Sequence, residues 1–186
     1  MDKLRISAIT DFEVYVLMTM KLRIKMSHKE TQLEAKLNEH GLSVGDAQRV
    51  HDRVANELGG ATTYFQNMKS LLGVDPSAIS LRYSSVLWPG FEFKANATED
   101  GKLESARYCH YKRELPHVDS PIGLPIWGMD LDEFAERFGP MKDGRKWSVF
   151  DELLPSYEEY EFQWGEDSYG AGFSWGLFMF SAMSWD

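Results

Sequence analysis

Four residues whose side chains could ligate a transition metal lie close together in the sequence: Cys109, His110, His117 and Asp119. Thiolate, imidazole and carboxylate groups are the ligands that zinc and similar ions accept in proteins. Cys109 and His110, however, are neighbours in a segment with strand periodicity, and successive side chains of a strand point to opposite faces. One ion therefore cannot easily collect both. We predict ordinary strand and loop residues here, with no metal and no cofactor.

A second pattern is that of a metal-dependent nuclease, Glu92-x-Lys94 with Asp75 upstream. In such sites carboxylates hold a divalent ion and a lysine orients the attacking water. With 29 acidic residues in 186, about 1.7 acid-x-Lys matches arise by chance. The chain has three matches, the others being Glu34-x-Lys36 and Asp100-x-Lys102. The pattern is close to the chance level, and we predict no catalytic residue.

The motif Asp130-x-Asp132-Glu133 has two interpretations. It could be a metal-binding carboxylate pair. A helix N-cap explains it equally well, because Asp130 and Glu133 have the spacing of a capping box and acids are favoured at a helix N-terminus. We predict the capping interpretation, and with it a short helix that ends at Gly139-Pro140.

Glu159 and Glu161 are the most informative acids. If residues 159–164 form a strand, these two side chains share one face about 6.7 Å apart. Side-by-side carboxylates repel each other, so they do not help the chain to fold. A row of charges at this spacing resembles the phosphates of a nucleic acid strand, and would fit a basic groove. The alternative is an edge strand kept charged to prevent aggregation. The predicted partner-binding residues are Asp132, Glu136, Asp151, Glu152, Glu158, Glu159, Glu161, Glu166 and Asp167.

The net charge of −9 is unevenly distributed. Residues 1–129 contain 16 basic and 16 acidic residues, whereas residues 130–186 contain 4 basic and 13 acidic ones. The same C-terminal segment holds 14 of the 25 aromatic residues. Disordered acidic tails are poor in aromatics, so we predict a folded segment that displays its carboxylates. Solubility alone is one explanation of this surface, and recognition of a basic partner is the other.

In composition the chain resembles small cytoplasmic antagonists, namely toxin-immunity proteins and phage-encoded inhibitors of restriction or CRISPR systems that imitate nucleic acid. The resemblance implies a non-enzymatic inhibitor that docks its acidic, aromatic C-terminal surface onto a basic partner protein, without binding nucleic acid directly. One alternative is a metal-dependent hydrolase or nuclease with a site built from scattered carboxylates. Another is a structural subunit that forms homo-oligomers through Trp175, Phe178 and Phe180.

Two apolar stretches are candidates for a membrane span, and neither fits. Residues 12–26 are interrupted by Glu13 and three basic residues, and the 14 residues 172–185 are shorter than the roughly 20 that a spanning helix needs. The single cysteine, Cys109, cannot form a disulfide within the chain. We predict no membrane association and a cytoplasmic location.

The elements predicted from periodicity define an α+β protein with a helical N-terminal half. In residues 12–26 every even position is apolar, which favours a strand, although Thr10 and Glu13 have the spacing of a capping box that would open a helix instead. Three helices follow, the first opened by a Ser27/Glu30 capping box, the second over 46–58 and the third over 64–72.

The C-terminal half is predicted to be rich in strands. Residues 79–113 have the period of an antiparallel β-meander, with a two-residue turn at Asp100-Gly101 that places Glu99 opposite Lys102. After a helix at 131–138 and another at 148–154, residues 159–164 form a strand and 173–185 form one buried last strand. We predict a single domain, 1–186, with a subdomain junction at 115–128 that separates 1–114 from 129–186.

Overall fold

The computed structural model describes residues 3–111, 118–142 and 144–183. His117 and residues 112–116, which include the start of the predicted junction, lie outside this range, as do Ser184 and Trp185 at the end of the predicted last strand. The architecture is α+β, and the chain forms two compact units, Met1–Ala106 and Arg107–Asp186. None of the helices in the described ranges is long and apolar enough to cross a membrane.

The first unit contains five helices and most of a three-stranded antiparallel sheet, in the order β1-β2-β3. The helices are α1 (Lys3–Thr19), α2 (Lys21–Met26), α3 (Glu30–Asn38), α4 (Val44–Leu58) and α5 (Tyr64–Leu72). The strands are β1 (Ser80–Ser84), β2 (Phe91–Ala97) and β3 (Leu103–His110). The predicted meander is therefore confirmed, and β3 carries the chain from the first unit into the second.

The strand predicted over residues 12–26 is wrong, because this segment is helical in α1 and α2. All residues from Phe12 to Met18 are buried, and α1 contacts α4 and α5. Its Phe12 ring also packs at 5.3 Å from that of Phe93 on β2. A helix buried on every side has no polar face, so it lacks the 3.6-residue pattern by which helices are recognised. The alternation at even positions was incidental, since the odd positions Tyr15 and Leu17 are buried as well.

Glu13 does not cap a helix, since it lies in the interior of α1. Its side chain is completely buried, and Oε2 accepts hydrogen bonds from the backbone N–H groups of Val86 (2.9 Å) and Leu87 (2.8 Å) in the loop after β1. A buried carboxylate is stable only when donors such as these replace water. The acid that interrupts the apolar sequence therefore fixes the β1–β2 loop.

The N-termini of α4 and α3 differ in whether a capping box forms. Ser43 and Asp46 form a complete capping box at the start of α4, so this helix begins at Val44, two residues before the predicted start at 46. The predicted Ser27/Glu30 box is wrong: α3 has Lys29 as its N-cap, and the Ser27 hydroxyl donates to the Arg23 carbonyl one turn earlier. Ser27 ends one helix and so cannot open the next.

The turn between β2 and β3 lies where it was predicted but is one residue longer. Thr98 N–H donates to the Lys102 carbonyl (2.8 Å), and Gly101 N–H donates to Thr98 (3.0 Å). Thr98, not Glu99, is thus opposite Lys102, and the loop has three residues. Gly101 has φ 79°, the left-handed conformation that such three-residue loops require at their last position.

The second unit is built on a three-stranded antiparallel sheet in the order β4-β5-β6. These strands are β4 (Tyr157–Trp164), β5 (Asp167–Ser174) and β6 (Leu177–Met183), and the helix α6 (Leu131–Phe138) covers one face. From α6 the Phe134 ring contacts those of Phe162, Phe173 and Phe178 at 5.2–5.4 Å. The aromatic residues of the acidic segment are therefore largely a core, and not a display surface.

The last apolar segment forms a hairpin, and the prediction of one buried strand over 173–185 is wrong. Ser174 pairs with Leu177, so Trp175 and Gly176 form a two-residue loop between β5 and β6. Both have positive φ, 50° and 79°, as the common two-residue hairpin loop requires. Because the loop itself is buried, it carries none of the polar residues that usually mark a turn.

The predicted helix over 148–154 is also wrong, since these residues form consecutive turns. The Asp151 carboxylate accepts hydrogen bonds from the N–H groups of Leu153 (3.0 Å) and Leu154 (2.7 Å). Asp side chains compete with helix formation in this way, and Pro155 follows directly. We refer to residues 148–156 as the 148–156 turn.

Candidate partner-binding surface

Six of the nine acids predicted to bind a partner are distributed along one strand and the turns at its two ends. Glu152 lies in the 148–156 turn, which precedes β4, and Glu166 and Asp167 lie at the hairpin loop after it. β4 itself carries three glutamates between them. We call this set the acidic strip: Glu152, Glu158, Glu159, Glu161, Glu166 and Asp167, of which Glu158 projects from the face of β4 opposite to that of Glu159 and Glu161. At about 3.3 Å per residue, the eight residues of β4 give the strip a length of about 25 Å.

The glutamates of β4 are less uniform than predicted. Glu161 is exposed, but Glu158 and Glu159 are half-buried, so these two are not the free surface sites that we expected. The hydroxyl of buried Tyr157 donates a hydrogen bond to Glu159 Oε1 (3.1 Å). This hydroxyl reaches Glu159 across Gly172 on β5, where any Cβ would lie only 2.2 Å from it. A glycine is needed at this position so that Tyr157 can fix the Glu159 carboxylate.

β4 is not a free edge strand over its acidic part. Its backbone pairs with β5 on one side and with residues 142 and 145–147 on the other. Lys142 N–H donates to the Glu161 carbonyl (2.7 Å), and Glu159 N–H donates to the Arg145 carbonyl (2.8 Å). The explanation of Glu159 and Glu161 as charges that protect an open edge is therefore wrong. The covering segment also brings basic residues next to the glutamates.

Lys146 is the basic residue with the clearest effect on this surface. Its Nζ lies over the Tyr160 ring, 5.5 Å from the centroid. Partial burial and then the neighbouring Glu158 carboxylate raise the pKa of Tyr160, while Lys146 acts in the opposite direction. The phenol hence stays neutral beside the glutamates. The middle of the acidic strip is partly compensated by this lysine, and the ends carry the less compensated charge.

The covering segment depends on a glycine that sequence reasoning did not identify. A Cβ built on Gly144 would lie 1.4 Å from the Glu159 carbonyl oxygen, so residues 144–147 can approach β4 only without a side chain at Gly144. Gly144→Ala should therefore lower the free energy of unfolding by about 1–3 kcal/mol, as overpacking does. Urea unfolding measures this. Gly60→Ala is the control, because nothing lies within 4 Å of its Cβ position. Equal stability of the two variants would contradict the close approach.

The remaining predicted partner-binding residues have other environments. Asp132 and Glu136 are exposed on α6, away from the acidic strip in sequence, and Asp132 forms an ion pair with Arg107 (3.1 Å). Asp151 is half-buried, and its carboxylate already accepts hydrogen bonds from Leu153 and Leu154 in its own turn. The structure thus assigns Asp151 to a local role and does not place it among the displayed charges.

The Asp130-x-Asp132-Glu133 motif is a capping box, as predicted, with an addition from β3. Asp130 Oδ1 accepts from Glu133 N–H (2.8 Å), and Glu133 Oε2 accepts from Asp130 N–H (3.0 Å). The other two oxygens contact His110: Asp130 Oδ2 accepts from its backbone N–H (2.6 Å), and Glu133 Oε1 lies 2.7 Å from its Nδ1. Both acids are at least 95% buried. Nothing in the sequence linked His110 to these two acids.

The acids of the nuclease-like pattern have other contacts, and the candidate set Cys109, His110, His117 and Asp119 includes His117, which lies outside the described residues. Glu92 lies 3.8 Å from Arg82 and 3.5 Å from Lys94, while Asp75 Oδ1 accepts from the backbone and hydroxyl of Ser77. In the ranges that the structure describes, no three His, Cys, Asp or Glu residues are grouped so that they could hold a metal ion. The homo-oligomer alternative through Trp175, Phe178 and Phe180 stays a prediction; Trp175 and Phe178 are buried within the second unit, so of these three residues only Phe180 is partly exposed.

Comparison of the chain with protein-family models, with curated proteins and with solved structures finds no match in any of the three.

Proposed function

We propose that the chain is a non-enzymatic binding protein of the cytoplasm, which docks the acidic strip of its second unit onto a basic surface of a partner protein. By occupying that surface it would act as an inhibitor or antagonist. The partner's basic surface is one that could otherwise hold an acidic ligand such as nucleic acid. The binding would be electrostatic and steric, and it involves no cofactor.

One observation carries the proposal. Residues 147–186 contain eight acidic residues and no lysine or arginine, and the exposed acids among those described lie at intervals along β4 and its two end turns. The less compensated acids at the two ends of the strip produce a potential that attracts positively charged proteins and accelerates their association. The fold itself does not require these charges, because the core of the second unit is aromatic.

The ends of the strip provide the cleanest test, since Glu152, Glu166 and Asp167 are all exposed. A variant with all three changed to lysine should fold normally, as surface substitutions usually change stability by about 0.5 kcal/mol or less per site. Tagged wild-type protein would first be used to capture partners from the cells in which the gene occurs. The affinity of the purified partner is then measured for both forms at low and at high salt.

We expect the lysine variant to bind about tenfold more weakly or worse at low salt, mainly through a slower association rate, and the difference to shrink as salt screens the charges. The matched control is a triple lysine variant at Glu34, Glu99 and Glu104, which are exposed in the first unit. It has the same net charge of −9 + 6 = −3. If both triple variants bind like wild type, the acidic strip serves solubility and the proposal is wrong.

A further inference from the structure

The 148–156 turn is an ordered structure that is held together by its own hydrogen bonds. The Ser148 carbonyl accepts from the N–H groups of Ser156 (2.9 Å) and Asp151 (3.2 Å), and its hydroxyl accepts from Phe150 N–H (3.2 Å). Asp151 then holds Leu153 and Leu154 through its carboxylate. The side chains of the turn are therefore presented in a fixed arrangement.

This ordered turn exposes two large apolar side chains within four residues. Leu153 is 69% exposed and Phe150 is 41% exposed. Burial of such side chains away from water is favourable. Binding of a rigid turn also loses less conformational entropy than binding of a mobile loop. A fixed, exposed pair of apolar side chains has the properties of an interface anchor.

The charge next to this pair specifies the kind of partner. Glu152 stands between the two apolar residues and is exposed. Asp151 is already used inside the turn, so Glu152 is the carboxylate available for contact. A partner surface complementary to the turn would be an apolar depression with lysine or arginine at its rim. An anionic lipid surface has the wrong charge for this site.

From these observations we infer that the 148–156 turn is the anchor of the interface, with Leu153 and Phe150 inserted into an apolar depression of a basic partner protein whose cationic rim faces Glu152. The inference rests on the proposed function, because it assigns the partner of the acidic strip. It goes further because it attributes most of the binding free energy to two apolar side chains, whereas the acidic strip mainly raises the association rate.

The test uses a variant that leaves every charge in place, Leu153→Ser in the full chain. The probe is a phage-displayed library of random peptides selected on wild-type protein in about 0.3 M NaCl, where purely electrostatic contacts between exposed groups are strongly screened. We expect the selected peptides to combine lysine or arginine with aromatic or aliphatic residues. Their affinity for Leu153→Ser should be at least about tenfold lower than for wild type, as for an interface hot spot.

Ile79→Ser is the matched control, since Ile79 is an exposed aliphatic residue of the first unit at 74% exposure; it should bind the peptides like wild type. Peptides that bind Leu153→Ser unchanged but fail to bind the lysine variant of the strip would overturn the anchor and leave the proposed function intact. Peptides affected by Leu153→Ser and not by the lysine variant, which includes Glu152, would contradict both the cationic rim of the inference and the acidic strip. Failure to select any peptide would overturn the anchor.

Two further outcomes would assign the turn to another occupant and overturn the inference. Leu153→Ser could convert a wild-type dimer into a monomer in analytical ultracentrifugation, and the turn would then bind a second copy of this chain. Wild-type protein could also sediment with vesicles of phosphatidylserine and phosphatidylcholine while Leu153→Ser does not, and the turn would then be a lipid contact. We expect neither change.

Discussion

Trp175→Ala should lower the free energy of unfolding by about 3–5 kcal/mol, the usual effect of removing a fully buried large aromatic side chain. Trp175 has no exposed surface, and it lies at the tip of the β5–β6 hairpin, where three other segments meet. Trp175 N–H donates to Ser156 (2.9 Å), its carbonyl accepts from Tyr108 (2.8 Å), and the Gly176 carbonyl accepts from Leu131 (2.9 Å). A cavity at this point weakens β4, α6 and the end of β3 together.

A second variant at the same position separates packing from backbone strain. Trp175 adopts φ 50°, a conformation that costs a non-glycine residue about 1 kcal/mol or more. Trp175→Gly removes this strain, which offsets the greater chain entropy of glycine, of about 0.5–1 kcal/mol relative to alanine. We expect Trp175→Gly to be as stable as Trp175→Ala or more so, whereas glycine at most positions is the less stable of the two.

Urea unfolding followed by circular dichroism measures both variants, with Trp164→Ala as the control. Trp164 is 36% exposed and contacts the ring of Phe138 at 5.1 Å, so its loss should have a clearly smaller effect, about 1 kcal/mol for an aromatic contact. If Trp175→Ala were no more destabilising than Trp164→Ala, the buried hairpin tip would not organise the second unit.

The sequence predicts this fold best where one face of an element is buried and the other is exposed. The meander of β1–β3, the helix α4 and the capped helix α6 were all recognised from such patterns, and the structure confirms them. It fails where a segment is buried on all sides. Residues 12–18 of α1 have no exposed face, and the buried loop Trp175–Gly176 has none of the polar residues that mark a turn, so each merged with its surroundings in the pattern.

Prediction of the candidate surface from the sequence is limited in a similar way, because tertiary contacts decide which parts of β4 are covered. Charge distribution along the chain located the acids and the strand that carries them, and β4 confirms that Glu159 and Glu161 lie on the same strand face. No local pattern could show that residues 144–147 would cover this strand, because only the absence of a side chain at Gly144 permits it. The contacts of His110 with Asp130 and Glu133 likewise join residues 20 and 23 positions apart.

Glu133→Ala should be strongly destabilising, by about 3 kcal/mol, although it removes an acid from a chain that has an excess of them. Glu133 is 2% exposed, and its two oxygens interact with Asp130 N–H and His110 Nδ1. Removal of one member of a buried charged network leaves its partners without compensation, at a cost of about 3–5 kcal/mol. The imidazole of His110 is 15% exposed, so it can recover part of the lost stabilisation by hydrogen bonding to water. The expected destabilisation is therefore at the lower end of this range.

The conservative variant and a double-mutant cycle identify the source of this effect. Glu133→Gln keeps an acceptor for Asp130 N–H, so it should lower the free energy of unfolding by less, about 1–2 kcal/mol. This is the effect expected when a hydrogen-bonding side chain is replaced by another of the same size. Glu133 and His110 are in direct contact, so the two alanine substitutions should be non-additive by at least about 1 kcal/mol. Glu136→Ala, at an exposed site on the same helix, should stay within about 0.5 kcal/mol of wild type. Additive effects of the substitutions at Glu133 and His110, measured by urea unfolding, would show that the helix cap alone explains the burial of Glu133 and that β3 is not fixed to α6 through it.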